Sequence, residues 1–194
     1  MSASTTVAID EAVPSIDFSN LIWAALAVVV MIGAIAIDVP WALNFIHVMA
    51  GVMWTGIDLF MGFVIGPIMR RLPLPARRAI ICRLMPRMLF LMPTLAIITG
   101  AAGYFHARQL GFLALDYPAY GWVVAALVIV TLLTVQGLGV LLPANLLVYF
   151  EMRKDQPDGE RIGRLMRRYV RAVAFQGVMQ VAIIVVMARF VTGL

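Results

Sequence analysis

The chain has one cysteine and two histidines in 194 residues, and only 13% of its residues carry charge. A lone Cys82 excludes an internal disulfide and any thiolate cluster, and it says little about compartment. The scarcity of charge, with 63% hydrophobic residues and a mean hydropathy of +0.97, excludes a soluble globular domain, whose core could not bury so much apolar surface. The opening stretch, residues 1–20, lacks a basic n-region and carries Asp10, Glu11 and Asp17, so no cleaved signal peptide is expected and it reads as a polar tail. No internal repeat is evident. The net charge of +5 does not point to nucleic acid, because the basic residues flank apolar runs, where they set orientation in a bilayer.

What the chain has is long apolar runs. A crossing needs about 20 residues at 1.5 Å rise, and five runs qualify, at about 21–38, 41–68, 87–107, 120–150 and 169–192. The expected fold is all-α, a single polytopic bundle over residues 21–194 with the lipid bilayer as its solvent. Asp38, Val39 and Pro40 leave room only for a tight hairpin between the first two helices, Asp38 serving as a cap and Pro40 standing in a first turn that does not need its N–H. The fourth run is longer than a straight crossing and contains Gly137, Gly139 and Pro143, so it should kink, tilt or project.

Arginine distribution assigns the sides. Arg70, Arg71, Arg77, Arg78, Arg83 and Arg87 gather between the second and third runs; Arg153, Lys154, Arg161, Arg164, Arg167, Arg168 and Arg171 gather between the fourth and fifth. Both connections are expected on the cytoplasmic side of a cell inner membrane, with the N-terminus in and the C-terminus out. Trp41, Tyr104, Tyr117, Tyr120 and Trp122 would then form an outer aromatic belt, and Tyr149, Phe150 and Tyr169 an inner one.

This topology brings the two histidines to one face. His47 lies about 9 Å into the second helix from its outer end, and His106 lies at the outer end of the third. Asn44, His47, Gly51, Trp54 or Thr55, Asp58, Gly62 and Gly66 recur at three- or four-residue spacing, a small and polar stripe that must face protein. Thr99, Gly103 and His106 repeat the pattern on the third helix. Gly51 and Gly103, each one turn deeper than a histidine, would leave space for a flat group. Two imidazoles suit the axial positions of b-type haem, and the two outer arginines, Arg108 and Arg189, could neutralise its propionates. The plainer interpretation is that the histidines hydrogen-bond between helices, the glycines permit close packing and Arg189 snorkels at a helix end.

Asp58 lies about 16 Å beyond His47 on the same helix, where an unpaired carboxylate is costly. It needs a partner or a proton. Gln176 and Gln180, one turn apart at comparable depth on the fifth helix, are the first candidates, with Gln136 and Asn145 as further ones. Such a node serves either as a proton-relay or ion site, or as a hydrogen-bonded tie between helices.

Thirteen methionines raise copper as an alternative occupant, since thioether and imidazole suit Cu(I). Yet Met49 projects about 200° and Met53 about 240° around the helix from His47, so neither shares its face. Most of the methionines are expected to be apolar filling.

The stretch from His47 through Gly51, Trp54, Gly56 and Phe60, followed by Pro67 and Arg70-Arg71-Leu72-Pro73, has the form H-x3-G-x2-W-x-G-x3-F at the outer end of a membrane helix. It resembles a group of small bacterial membrane proteins: the CopD-type copper-resistance proteins, the membrane part of bacterial membrane-bound urate oxidases and, more distantly, the HemJ-type protoporphyrinogen oxidases. The match covers under a fifth of the chain. The resemblance implies an all-helical bundle with redox or metal work, in whose haem-binding members a histidine matching His47 is an axial ligand. The expected function is haem binding at His47 and His106 for electron transfer or a small redox reaction; CopD-like copper handling and a non-catalytic subunit or scaffold are the alternatives. A redox partner or a second copy of the chain would be its associate in the membrane.

Overall fold

The computed structural model describes residues 16–193, so most of the 1–20 tail, including Asp10 and Glu11, lies outside the described residues. Five long helices, each apolar enough to cross a membrane, carry the fold, and no strand occurs among the described residues. We label them α1 (Asn20–Ile37), α2 (Pro40–Arg71), α3 (Leu74–Gln109), α4 (Ala119–Met152) and α5 (Gly159–Val191).

Local chemistry explains most of the boundaries. Asp17 accepts from the Ser19 N–H at 2.9 Å and from its hydroxyl at 2.8 Å, which folds the chain into the start of α1. The first hairpin is as tight as expected, but Asp38 closes α1 and does not open α2. It adopts a left-handed conformation (φ 57°), which Asp tolerates better than most residues, and its carboxylate accepts from Gln109 Nε2 at the end of α3. Extended Val39 then precedes Pro40 in the first turn of α2.

Two helices contain a widened π-turn, and both turns sit just ahead of a proline. In α2 the turn spans Met61–Ile65 before Pro67; in α4 it spans Gly137–Leu141 before Pro143. A proline inside a helix removes one N–H and crowds the carbonyl four residues back, and an extra residue in the preceding turn relieves that crowding. The irregularity expected in the fourth run is therefore located, and a second one appears near the end of the second run, where none is expected.

Helices α3 and α5 begin well before the apolar runs that mark them. Starts at 87 and 169 are corrected to Leu74 and Gly159. Hydropathy detects only the part of a helix that crosses lipid, whereas Ala, Arg, Leu and Met are all good helix formers in or out of it. Most of the basic residues consequently lie on helical extensions, and the connections shrink to 72–73 and 153–158.

The second connection is organised by Glu151. Its buried carboxylate takes Lys154 at 2.9 Å and Arg161 at 3.4 Å, and accepts from the Asp158 N–H at 3.3 Å. Asp158 in turn caps α5 by accepting from the Arg161 N–H at 3.0 Å, and that hydrogen bond holds its carboxyl below the usual aspartate range. A depressed carboxyl contributes its stabilisation fully above the ordinary value and loses it as pH falls through the lowered one. On acidification through that window, the protection of the Arg161 amide against hydrogen exchange should fall in the wild type and not in Asp158→Ala.

The bundle is apolar outside as well as inside. Val29, Phe63, Val178 and Val185 are each more than half exposed, as lipid-facing residues should be. The main core joins all five helices through residues such as Met31, Leu43, Trp54, Ala102, Leu133 and Met179. A second cluster at the basic end joins Ile81 and Cys82 of α3 to Val148, Tyr149 and Met152 of α4 and Ile162 of α5. Tyr149, expected in the inner belt, is instead 1% exposed, and Tyr169 points inward to the Asn145 side chain; only Phe150 of that trio faces outward. Trp41, Tyr104, Tyr117, Tyr120 and Trp122 are exposed at the opposite end.

Candidate functional site

The histidines lie at one end of the bundle, on helices in direct contact. His47 of α2 reaches across to α3, where its Nδ1 is 2.9 Å from the Thr99 carbonyl oxygen. A carbonyl can only accept, so Nδ1 carries the proton, and the lone pair of the neutral ring lies on Nε2. The ring rests on Gly103: a Cβ built there would stand 2.6 Å from both Cε1 and Nδ1. His106, one turn further along α3, is within electrostatic reach of His47, and its Nδ1 is buried with no hydrogen-bond partner.

The glycines do not have the roles expected of them. The gap at Gly103 holds the His47 ring itself, and Gly51 faces Thr99, whose Cγ2 would be 3.5 Å from an added Cβ. Both serve the seam between α2 and α3, because an imidazole can lie between the backbones only where one side lacks a Cβ. The outer arginines also separate. Arg108, at the end of α3, lines a cavity of about 330 Å³ with Ile35, Asp38, Leu43, Phe105 and Gln109. Arg189 on α5 lies over the Trp122 ring of α4, with its guanidinium carbon 6.0 Å from the centroid.

No family model matches the chain, and no curated protein or solved structure matches it.

Among the described residues no group of three or more His, Cys, Asp or Glu side chains could hold a metal ion. Met49 and Met53 are each 45% exposed, consistent with their turning away from His47. A protein-derived site at the histidines thus consists of two imidazoles. His47 fits the role of axial ligand: ligating histidines commonly donate their other ring N–H to a carbonyl, which fixes the tautomer and directs the lone pair. The buried His106 Nδ1 has no hydrogen-bond partner, although the same side chain hydrogen-bonds Gln109. The Gly103 side of His47 is closed, so a flat group would have to meet the ring from the Nε2 side.

The second site lies deeper. Gln176 and Gln180 of α5 both donate through Nε2 to Asp58 Oδ2, the latter at 2.6 Å, and the Trp54 side chain hydrogen-bonds the same carboxylate from one turn earlier on α2. Both are the glutamines that sequence spacing places at the depth of Asp58. The further candidates are engaged elsewhere: Gln136 donates to the Ala172 carbonyl and Asn145 pairs with Tyr169. Beside Asp58 is a cavity of about 80 Å³, walled by α2, α3, α4 and α5. The sequence carries no clear sign of this cavity, which lies between helices where the π-turns of α2 and α4 approach the prolines of α3. Met61, Gly137, Leu138, Pro86 and Pro93 all line it.

Proposed function

We propose that this chain is a redox protein of the bacterial inner membrane that binds b-type haem at His47 and His106. The observation that carries the reading is the hydrogen bond from His47 Nδ1 to Thr99, which leaves Nε2 as a directed lone pair within electrostatic reach of His106, a half-buried imidazole whose Nδ1 has no hydrogen-bond partner. The His47-x3-Gly51-x2-Trp54 resemblance to haem- and metal-handling membrane proteins supports it from the sequence side. In this reading His47 and His106 hold the iron, Thr99 orients His47, and Arg108 is the nearer cation for a propionate, with Arg189 the second. The haem would supply one-electron transfer. Orientation follows the arginines, with the basic helical extensions in the cytoplasm and the histidines toward the outer face.

Absorbance of the purified protein, with and without dithionite, tests the proposal. The expected result is a Soret band with resolved α and β bands on reduction, lost in His47→Ala and shifted or lost in His106→Ala. Copper by metal analysis without pigment would instead favour copper handling, although Met49 and Met53 face away. A colourless, metal-free protein would leave the third reading, in which His47 ties α2 to α3 as an interhelical hydrogen bond; the fit of its ring against Gly103 favours that reading specifically.

A further inference from the structure

The Asp58 carboxylate lies in the middle of a membrane-spanning helix, and among the described residues its partners are the Gln176 and Gln180 amides and Trp54, with no Lys, Arg or His paired to it. Each of these partners is a neutral donor. They satisfy the lone pairs of an ionised Asp58 without cancelling its charge, which is costly in the bilayer interior.

The acceptors around it have the opposite deficit. Gln176 is 2% exposed and Gln180 is 1% exposed, and the side-chain Oε1 of each is buried without a partner. Gln176 and Asp58 both line the cavity, together with Thr134, Asn145 and Tyr169. A carboxyl group with no cationic partner, a glutamine with an unpartnered amide oxygen and further oxygen-bearing side chains therefore line one small space, which either a proton on Asp58 or a bound cation would make neutral.

We infer that the Asp58 cavity binds a small monovalent cation, an alkali-metal ion or a primary ammonium, between the Asp58 carboxylate and Gln176 Oε1. One charge matches one carboxylate, whereas a divalent ion would leave a net positive charge in the membrane interior. Carboxylate, amide and hydroxyl oxygens are hard ligands that suit such cations, and an ammonium also supplies the donors that Gln176 Oε1 needs. A volume of about 80 Å³ restricts the occupant to a bare ion with a water or two, or an amine with a very small organic part. Asp58, Gln176 and the cavity walls come from different helices, so occupancy ties α2 to α5. The site is independent of the histidines and of any cofactor there.

The test uses the full chain in nanodiscs, with melting followed by tryptophan fluorescence in chloride salts of sodium, potassium or methylammonium. N-methyl-D-glucamine chloride at equal ionic strength controls for screening. At least one of the small cations should raise the melting temperature by several degrees in a saturable way, as a ligand of the folded state does. Asp58→Asn, which keeps shape and an acceptor, should abolish the shift, and Gln176→Leu should weaken half-saturation by about tenfold, the loss of one charge-assisted contact. Equilibrium dialysis of the wild type against radiolabelled sodium and methylammonium checks binding without any variant, and the salt with the lower half-saturation identifies the source. Equal melting in all salts with no retained cation, a shift that persists in Asp58→Asn, or retention of Cu(I) on the lining methionines without retention of sodium, potassium or ammonium would each overturn the inference.

Discussion

Gly103→Ala should destabilise the bundle by about 1–3 kcal/mol, the range for overpacking a fitted contact and losing a buried hydrogen bond. The new methyl group would stand 2.6 Å from two atoms of the His47 ring, and relief requires the ring to swing out of the seam and release the Thr99 carbonyl. The mechanism makes a sharper demand than the single variant does. In a His47→Ala background the ring is gone, so adding Gly103→Ala should then be nearly neutral. Unfolding in mixed micelles of the four proteins gives the coupling energy directly. If the two substitutions simply add, the ring does not occupy the Gly103 notch. Any cofactor bound through His47 should also be lost in Gly103→Ala, because the tautomer is no longer fixed.

Asp58→Leu should be the more damaging substitution, by about 2–5 kcal/mol, while Asp58→Asn should be considerably milder. Leucine removes the common acceptor of Gln176 and Gln180 and leaves both buried amides without it. Asparagine retains one acceptor oxygen of similar placement. The ranking, read from unfolding midpoints, separates a hydrogen-bonding role from a purely steric one: an apolar residue of similar size would be the better tolerated of the two if Asp58 only filled space. Because Asp58→Asn should still fold, it is also the variant on which loss of cation binding can be measured.

The five spans, the α1–α2 hairpin and the Asp58–Gln176–Gln180 node were legible in the sequence because each rests on a short-range rule. Spans follow from apolar length, the hairpin from Asp38-Val-Pro40, and the node from the scarcity of polar groups deep in a bilayer. The true starts of α3 and α5 were not legible from hydropathy, which loses a helix where it leaves lipid. Tyr149 and Tyr169 were misassigned to a belt because an aromatic near a span end satisfies the belt rule whether it points outward or inward; Asn145, not visible as a neighbour at that level, draws Tyr169 in. The role of Gly103 was reversed for a related reason. Spacing shows that a glycine makes room, but it does not show for what, and here the room is taken by the histidine from the facing helix.

The π-turn in α2 breaks the angular phase of that helix. An α-helix advances about 100° per residue, and accommodating an extra residue in one turn displaces everything beyond it by about that angle relative to an uninterrupted helix. Asn44, His47, Gly51, Trp54 and Asp58 lie on the near side of Met61–Ile65 and share one phase; Gly66, Arg70 and Arg71 lie on the far side and follow another. The stripe drawn through Gly62 and Gly66 by constant spacing is thus two stripes joined at a rotation. Asp58 and Trp54 are the last polar residues of the first phase, and the basic pair Arg70-Arg71 takes its direction from the rotated segment, not from the helical face that carries His47.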